Sequence, residues 1–154
     1  MNDKDVYRII DVNLNRSREG LRVCEEVARF GLSSPRLTKE LKSLRHAVSQ
    51  AAEVHYARRG ALSCARDSSA DVGRCSKKSS EMRRNGLGDV FSANAQRVKE
   101  SLRVLEEFYK ILHRKTSVRF SQLRFKMYEI ERKASGRIEA LHKNGKRNWY
   151  NDAA

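Results

Sequence analysis

The 154-residue sequence has one proline, three cysteines and no long apolar run. A membrane-spanning helix needs about eighteen or more apolar residues in succession, and the amino terminus lacks the apolar stretch and cleavage site of a signal peptide. Cys24, Cys64 and Cys75 are odd in number and widely spaced, which fits neither a disulfide framework nor a zinc site. These absences predict a cytoplasmic protein that has no membrane span.

Acidic residues are also few compared with basic ones. The sequence has 33 Lys and Arg against 19 Asp and Glu, for a net charge of +14, and 21 of the basic residues are arginine. Such an excess predicts anionic partners, namely nucleic acid, an anionic membrane surface or phosphorylated small molecules. Arginine suits bidentate contacts with phosphate or carboxylate. Composition alone does not choose among these partners.

Alternating strand patterns are missing, whereas apolar residues recur every three or four positions, which predicts an all-α fold with four helices. The first helix is predicted from Asp3 or Asp5 to Phe30, and Gly31 would end it. The second is predicted from Ser34-Pro35 to near Ala57, and the third from Asp89 to Leu112 or His113. The fourth is predicted to begin at Thr116 or Ser117, and its apolar stripe ends at Ala134. A long loop is expected over residues 58–88, and the tail could add a short helix at Ile138–His142.

The helices contain an internal repeat. NLNRSREGLRVCEEVARFGL at residues 13–32 aligns with NAQRVKESLRVLEEFYKILH at residues 94–113, an offset of 81, and Leu44-Arg45 aligns with Leu123-Arg124 in the helices that follow. This pattern predicts a four-helix bundle built from two duplicated helical hairpins that a long loop joins. We therefore expect a helical domain over residues 1–134 and a basic C-terminal tail over residues 135–154.

Both copies of the repeat carry the pattern N-x-x-R-x-x-E. On a helical wheel, Asn13 and Arg16 fall inside a wide apolar arc, and Glu19 borders it. A buried arginine is costly unless it is paired. One interpretation is that Arg16 and Glu19 form an ion pair that braces the bundle. The other is that both sets line a pocket near the pseudo-twofold axis, in which arginines bind phosphate. The second set is Asn94, Arg97 and Glu100.

The predicted loop contains the motif ARDSSADVG, with Asp67 and Asp71 four residues apart and Gly73 behind them. Arg66, Arg83 and Arg84 lie near in sequence. The two carboxylates could hold Mg²⁺ that bridges nucleotide phosphates. Alternatively, they could cap turns and pair with neighbouring arginines. The sequence has no GxxxxGK[ST] loop, no GxGxxG motif after a strand and no protein-kinase signature.

Three segments together resemble a known family: RIIDVNLNRSREGLRVCEEVARF, ARDSSADVG and ANAQRVKESLRVLEEF. They are similar to the all-helical second type of hydroxymethylpyrimidine phosphate kinase, which occurs free-standing or fused to thiamine phosphate synthase. The similarity covers about residues 6–132. It implies transfer of the γ-phosphoryl group of ATP, with Mg²⁺, onto 4-amino-5-hydroxymethyl-2-methylpyrimidine phosphate. The sequence departs from the family at Ser68, where threonine is expected, and at Cys24, where leucine is usual.

The resemblance and the residue chemistry together give hypotheses for the site. Arg66, Asp67 and Asp71 are the expected catalytic residues, and Asp67 with Asp71 would hold the metal. Arg16 and Arg97 would bind phosphate groups, while Glu19 or Glu100 would recognise the aminopyrimidine. The other expected binding residues are Asn13, Gly73, Arg83, Arg84 and Asn94. Two alternatives stay open: a basic helical nucleic-acid-binding protein and a non-catalytic partner of thiamine enzymes. A homo-oligomer is also compatible with the sequence.

Overall fold

Four helices make up the described part of the chain. A computed structural model describes residues 3–53 and 83–143, and over these two ranges it is all-α, without a strand. Helix α1 is Asp3–Glu26, followed by a π-helical segment at Val27–Gly31, and α2 is Pro35–Glu53. Helix α3 is Leu87–Leu112, and α4 is Arg114–Lys143. None of the helices in these ranges is both long enough and apolar enough to cross a bilayer.

The helices form a single bundle of two hairpins, which confirms the predicted fold class. Helix α1 packs against α2 and α3, and α4 packs against α3 and α2, so each hairpin contacts the other twice. The apolar stripes read from the sequence are buried in the centre, together with the stacked rings of Tyr109 and Phe120, whose centroids are 5.0 Å apart. The largest fully buried aliphatic side chains are Ile10, Leu14, Leu21, Leu41, Leu44, Leu102, Leu105, Met127 and Ile130.

The turn between α1 and α2 differs from its prediction at one residue. The sequence suggested Gly31 as the left-handed residue that ends α1, but the positive φ of 45° belongs to Ser33. A Cβ atom at Gly31 would lie 2.7 Å from Cδ1 of Leu87, which is the end of a flexible, exposed side chain that can move aside. The start of α2 is as predicted: Pro35 is its first residue, and Ser34 Oγ accepts a hydrogen bond from the Leu37 amide at 3.5 Å.

The second hairpin has longer helices than the sequence predicted. Helix α3 begins two residues before Asp89, whose carboxylate accepts a hydrogen bond from the Asn85 amide at 3.0 Å. Helix α4 begins at Arg114 and continues to Lys143, so a separate short helix at Ile138–His142 is wrong. Ile138 packs against the core beyond the end of the predicted stripe. This additional apolar contact explains why the helix does not stop at Ala134.

The two hairpins approach each other closely at Gly20. A Cβ atom on this residue would lie 2.8 Å from Cγ2 of Val98 and 3.1 Å from the carbonyl oxygen of Asn94. Gly20 and its repeat counterpart Ser101 are both buried in the interface between α1 and α3. A larger side chain would have to push the backbone of α3 away, because the carbonyl oxygen cannot rotate aside. The absence of a side chain at Gly20 therefore sets the separation of these two helices.

We expect Gly20→Val to lower the free energy of unfolding by about 2 kcal/mol or more, because overpacking a tight interface has a cost of this order. Gly136 is the matched control, since it is helical and exposed and a Cβ atom there meets nothing within 4 Å. Gly136→Val should change stability by less than about 0.5 kcal/mol. Urea denaturation followed by circular dichroism measures both. Equal stabilities of the two variants would contradict this account of the interface.

Candidate functional site

The paired asparagines have the same environment in both copies of the repeat. Nδ2 of Asn13 donates to the carbonyl oxygen of Ile9 at 2.8 Å, and Nδ2 of Asn94 donates to that of Val90, also at 2.8 Å. Asn13 is buried and Asn94 is half-buried. Within the described ranges, neither Oδ1 atom has a hydrogen-bond donor. Each asparagine is thus fixed on its own helix with its amide oxygen still available to a ligand.

The arginines of the same pattern are placed differently from the wheel analysis. Arg16 and Arg97 are both exposed, and neither forms an ion pair or hydrogen bond with any residue in the described ranges. The predicted Arg16–Glu19 ion pair is therefore wrong, and Glu19 is exposed as well. The wheel gave the direction of Arg16 correctly, but the long side chain extends past the edge of the α1–α3 contact into solvent. Glu100 is exposed and accepts a hydrogen bond from Gln96 at 2.7 Å.

The two N-x-x-R-x-x-E sets lie on the two helices that meet at Gly20. This glycine follows Glu19 directly and contacts Asn94 and Val98, the latter next to Arg97. The α1–α3 interface therefore carries both sets, with two exposed arginines that have no counter-ion among the described residues. A surface of this kind can take up an anion without first breaking an internal ion pair.

The expected loop residues are largely beyond what the structure describes. Arg66, Asp67, Asp71 and Gly73 lie outside the described residues. Arg83 is exposed, and Arg84 Nη1 donates to the carbonyl oxygen of Arg83 at 2.7 Å. Within residues 3–53 and 83–143, no group of three or more His, Cys, Asp or Glu side chains could hold a metal ion. The metal assignment to Asp67 and Asp71 stays a prediction.

The repeat also contains a buried glutamate that joins the two helices of each hairpin. Glu25 Oε2 accepts a hydrogen bond from Arg45 Nε of α2 at 3.0 Å, and its Oε1 lies 3.3 Å from Nη1 of Arg22. In the second hairpin, Glu106 binds Arg124 Nε at 3.1 Å and Arg103 Nη1 at 2.7 Å. Both carboxylates are buried. We call these two groups the carboxylate clamps.

The carboxylate clamps explain the strongest part of the repeat, the sequence LRVxEE. A buried carboxylate needs compensation of its charge and its lone pairs, and two guanidinium groups supply both. Glu25 and Glu106 lie at aligned positions of the repeat, but the sequence alone indicated no role for them. Arg45 and Arg124 lie at aligned positions in the second helix of each hairpin. Their alignment could have identified the clamps, because each of these arginines binds the buried glutamate of its own hairpin.

A cleft of about 580 Å³ lies on the outer side of the first hairpin, next to its carboxylate clamp. Glu19 was predicted as a site residue, but the cations beside it were not. They were missed because they come together only when α2 packs against α1. The cleft is lined by Arg18, Glu19, Arg22, Val23, Arg45 and Ser49.

Two further cavities occupy matching places at the hairpin turns. The one at the α1–α2 turn, about 590 Å³, has Arg29, Lys39 and Lys42 in its wall, beside the amino terminus of α2. The one at the α3–α4 turn, about 510 Å³, has Lys110 and Arg114 in its wall. Both belong to the basic surface that the composition predicted.

Cys24 does not act as a nucleophile in this arrangement. Burial raises the pKa of its thiol to about 12, so the thiolate is scarce at neutral pH. The sulfur lies 3.7 Å from the carbonyl oxygen of Phe91, inside the α1–α3 interface. Cys24 therefore fills the core position at which the resemblance led us to expect leucine.

Comparisons with known proteins agree on one family. A model of the ThiD2 family matches residues 8–133. The chain is 41% identical over 131 residues to a protein from a Nostoc species named thiamine-phosphate synthase, and 40% identical over 126 residues to one of the same name from a Synechocystis species. These matches cover 85% and 82% of this chain but only 36% and 35% of the relatives. The chain thus spans about a third of the length of the curated relatives it matches. No solved structure is significantly similar to it.

Glu25→Gln should lower the free energy of unfolding by about 1–3 kcal/mol, since it weakens charge-assisted bonds to Arg22 and Arg45. Glu26→Gln is the matched control, because Glu26 is in the next position, is half-exposed and, within residues 3–53 and 83–143, forms an ion pair only with Arg22, at 2.7 Å. Its effect should stay within about 0.5 kcal/mol, as for other surface pairs. Chemical denaturation at neutral pH measures both. If Glu26→Gln has the larger effect, the carboxylate clamp is not what joins the hairpin.

Proposed function

Because the chain belongs to the ThiD2 family, we propose that it acts in thiamine biosynthesis as a kinase. The proposed reaction transfers the γ-phosphoryl group of ATP onto 4-amino-5-hydroxymethyl-2-methylpyrimidine phosphate and gives the diphosphate and ADP. The relatives named thiamine-phosphate synthase support the pathway. The structural observation that carries the proposal is the pair of exposed arginines, Arg16 and Arg97, which occupy repeated positions without a counter-ion in the described ranges.

The chemistry makes modest demands on the protein. The attacking group is a phosphate oxygen that is already ionised, so no strong general base is required. It forms a new P–O bond to the γ-phosphorus as the bond to the ADP oxygen breaks. The main barrier is the repulsion between two anions, which positioning and cationic groups reduce. In this proposal Arg16 and Arg97 each bind a phosphate group and keep the two reactants together.

Mg²⁺, when bound, would neutralise charge on the nucleotide phosphates. The described residues suit this task poorly, because among them no group of three or more His, Cys, Asp or Glu side chains could hold a metal ion, and Glu25 and Glu106 are engaged with arginines. We therefore assign the metal to Asp67 and Asp71, with Arg66 beside them on the same motif. This assignment concerns residues outside the described ranges and is based on the motif alone.

The direct test is an ADP-release assay with the phosphorylated pyrimidine, ATP and Mg²⁺, with the unphosphorylated alcohol as the control substrate. We expect ADP to form with the phosphate ester and much less with the alcohol, since the alcohol lacks the nucleophilic phosphate oxygen. Absence of turnover, together with RNA binding that weakens steeply as salt is raised, would favour the nucleic-acid-binding alternative instead.

Alanine variants test the assigned residues. Arg16→Ala, Arg97→Ala and Asp71→Ala should each lower kcat/KM at least about tenfold, because each removes a charge that contacts phosphate or metal. Arg119→Ala is the matched control: Arg119 is an exposed arginine on α4 and should stay within about twofold of the wild type. Near-wild-type turnover in all three test variants would contradict the site.

A further inference from the structure

At one position of the cleft described above, the two hairpins carry side chains of very different size. Ser49 lines the cleft in the first hairpin, and the alignment that pairs Arg45 with Arg124 pairs Ser49 with Tyr128. In the second hairpin the Tyr128 ring contacts two cations: Lys99 Nζ lies 5.4 Å and Arg124 Cζ lies 5.8 Å from its centroid. The first hairpin has the cations but only a serine hydroxyl where the second has an aromatic ring.

The cations that surround the ring are retained in the first hairpin. Arg18 is the repeat counterpart of Lys99, and Arg45 that of Arg124, and both line the cleft. A cation beside an aromatic face is attracted by the negative potential of the ring face. In the second hairpin the Tyr128 ring is 41% exposed and lies on the outer surface beside cations from both helices. The first hairpin offers the same surroundings with about 580 Å³ of space.

Arg45 also retains hydrogen-bonding capacity that Arg124 uses. Arg124 donates from Nη1 to the hydroxyl of Tyr128 at 3.3 Å, in addition to its bonds with Glu106. Arg45 is bound by Glu25 through Nε, and its two terminal amino groups have no acceptor among the described residues. Its side chain is only 25% exposed. A half-buried guanidinium whose amino groups have no acceptor in the described ranges favours a polar ligand that brings an acceptor into the cleft.

Glu19 supplies the complementary acceptor at the same place. Its carboxylate lines the cleft, is exposed, and has no partner in the described ranges. The cleft therefore combines cations for a ring face, donors from Arg45 and one acceptor carboxylate. This combination matches a 4-aminopyrimidine ring, which has an exocyclic amino donor beside a ring-nitrogen acceptor.

We propose that the first-hairpin cleft binds a 4-aminopyrimidine ring, in the place where the second hairpin holds the Tyr128 ring. The inference rests on the proposed function for the identity of the ring. It also distinguishes the two copies of the repeat, because it assigns ring recognition to Glu19 and not to Glu100. The pyrimidine substrate and the adenine of ATP both contain this ring, and the experiment separates them.

The test introduces the residue of the second hairpin into the first. Wild type and Ser49→Tyr are titrated by calorimetry with the pyrimidine phosphate and, separately, with AMP. We expect Ser49→Tyr to raise the Kd of one of these ligands at least about tenfold, because its ring occupies the cleft. The ligand whose Kd rises is the one that binds in the cleft. Gln50→Tyr is the control, since it places a tyrosine at an adjacent exposed position, and its Kd values should stay within about twofold of the wild type.

A second variant keeps the test decisive if Ser49→Tyr is poorly folded. Glu19→Gln removes an exposed charge without a described partner, so the fold should be retained, and it should raise the Kd of the same ligand at least about fivefold. Unchanged affinities in Ser49→Tyr and Glu19→Gln overturn the inference, as does a wild type that binds neither ligand. If the variants raise the Kd as expected but the wild type releases no ADP, the result contradicts the kinase proposal and leaves the binding inference standing.

Discussion

The buried carboxylates of Glu25 and Glu106 are the interaction on which the arrangement of each hairpin depends. Each is taken out of water only because an arginine from its own helix and one from the neighbouring helix surround it. The consequence is more than stability. An ion pair with a fixed geometry holds the two helices of each hairpin in one rotational setting.

Duplication then allows the two hairpins to differ where the scaffold does not require identity. The second hairpin closes its outer surface with Tyr128, which engages the free end of Arg124. The first keeps a serine and an open cleft at the corresponding place. Counting only residues that the structure describes, one copy thus completes its contacts internally, while in the other the terminal amino groups of Arg45 have no acceptor beside the cleft. The same backbone repeat can in this way serve as a support in one half and as a binding surface in the other.

The helices, the repeat and the cap at Ser34 were predictable because they depend on local periodicity and local hydrogen bonds. The positive φ at Ser33 was not predictable in this way. Nor was the continuation of α4 past Ala134, since it depends on the packing of Ile138 against the core. Arg16 shows the same limit for the site: a wheel gives a side chain its direction but not the position of the neighbouring helix. The cleft was missed for this reason, as it exists only once α1 and α2 are packed together.

The close approach at Gly20 also has a consequence for the order of folding. Contacts within each hairpin join residues near in sequence and can form early, whereas the contact of Gly20 with Asn94 and Val98 joins residues more than 70 positions apart and has a higher cost in chain entropy. A glycine in mid-helix weakens α1 on its own, so the isolated hairpin gains nothing from it. Its benefit comes entirely at the final docking of one hairpin on the other, which makes this residue a determinant of assembly and not of helix formation.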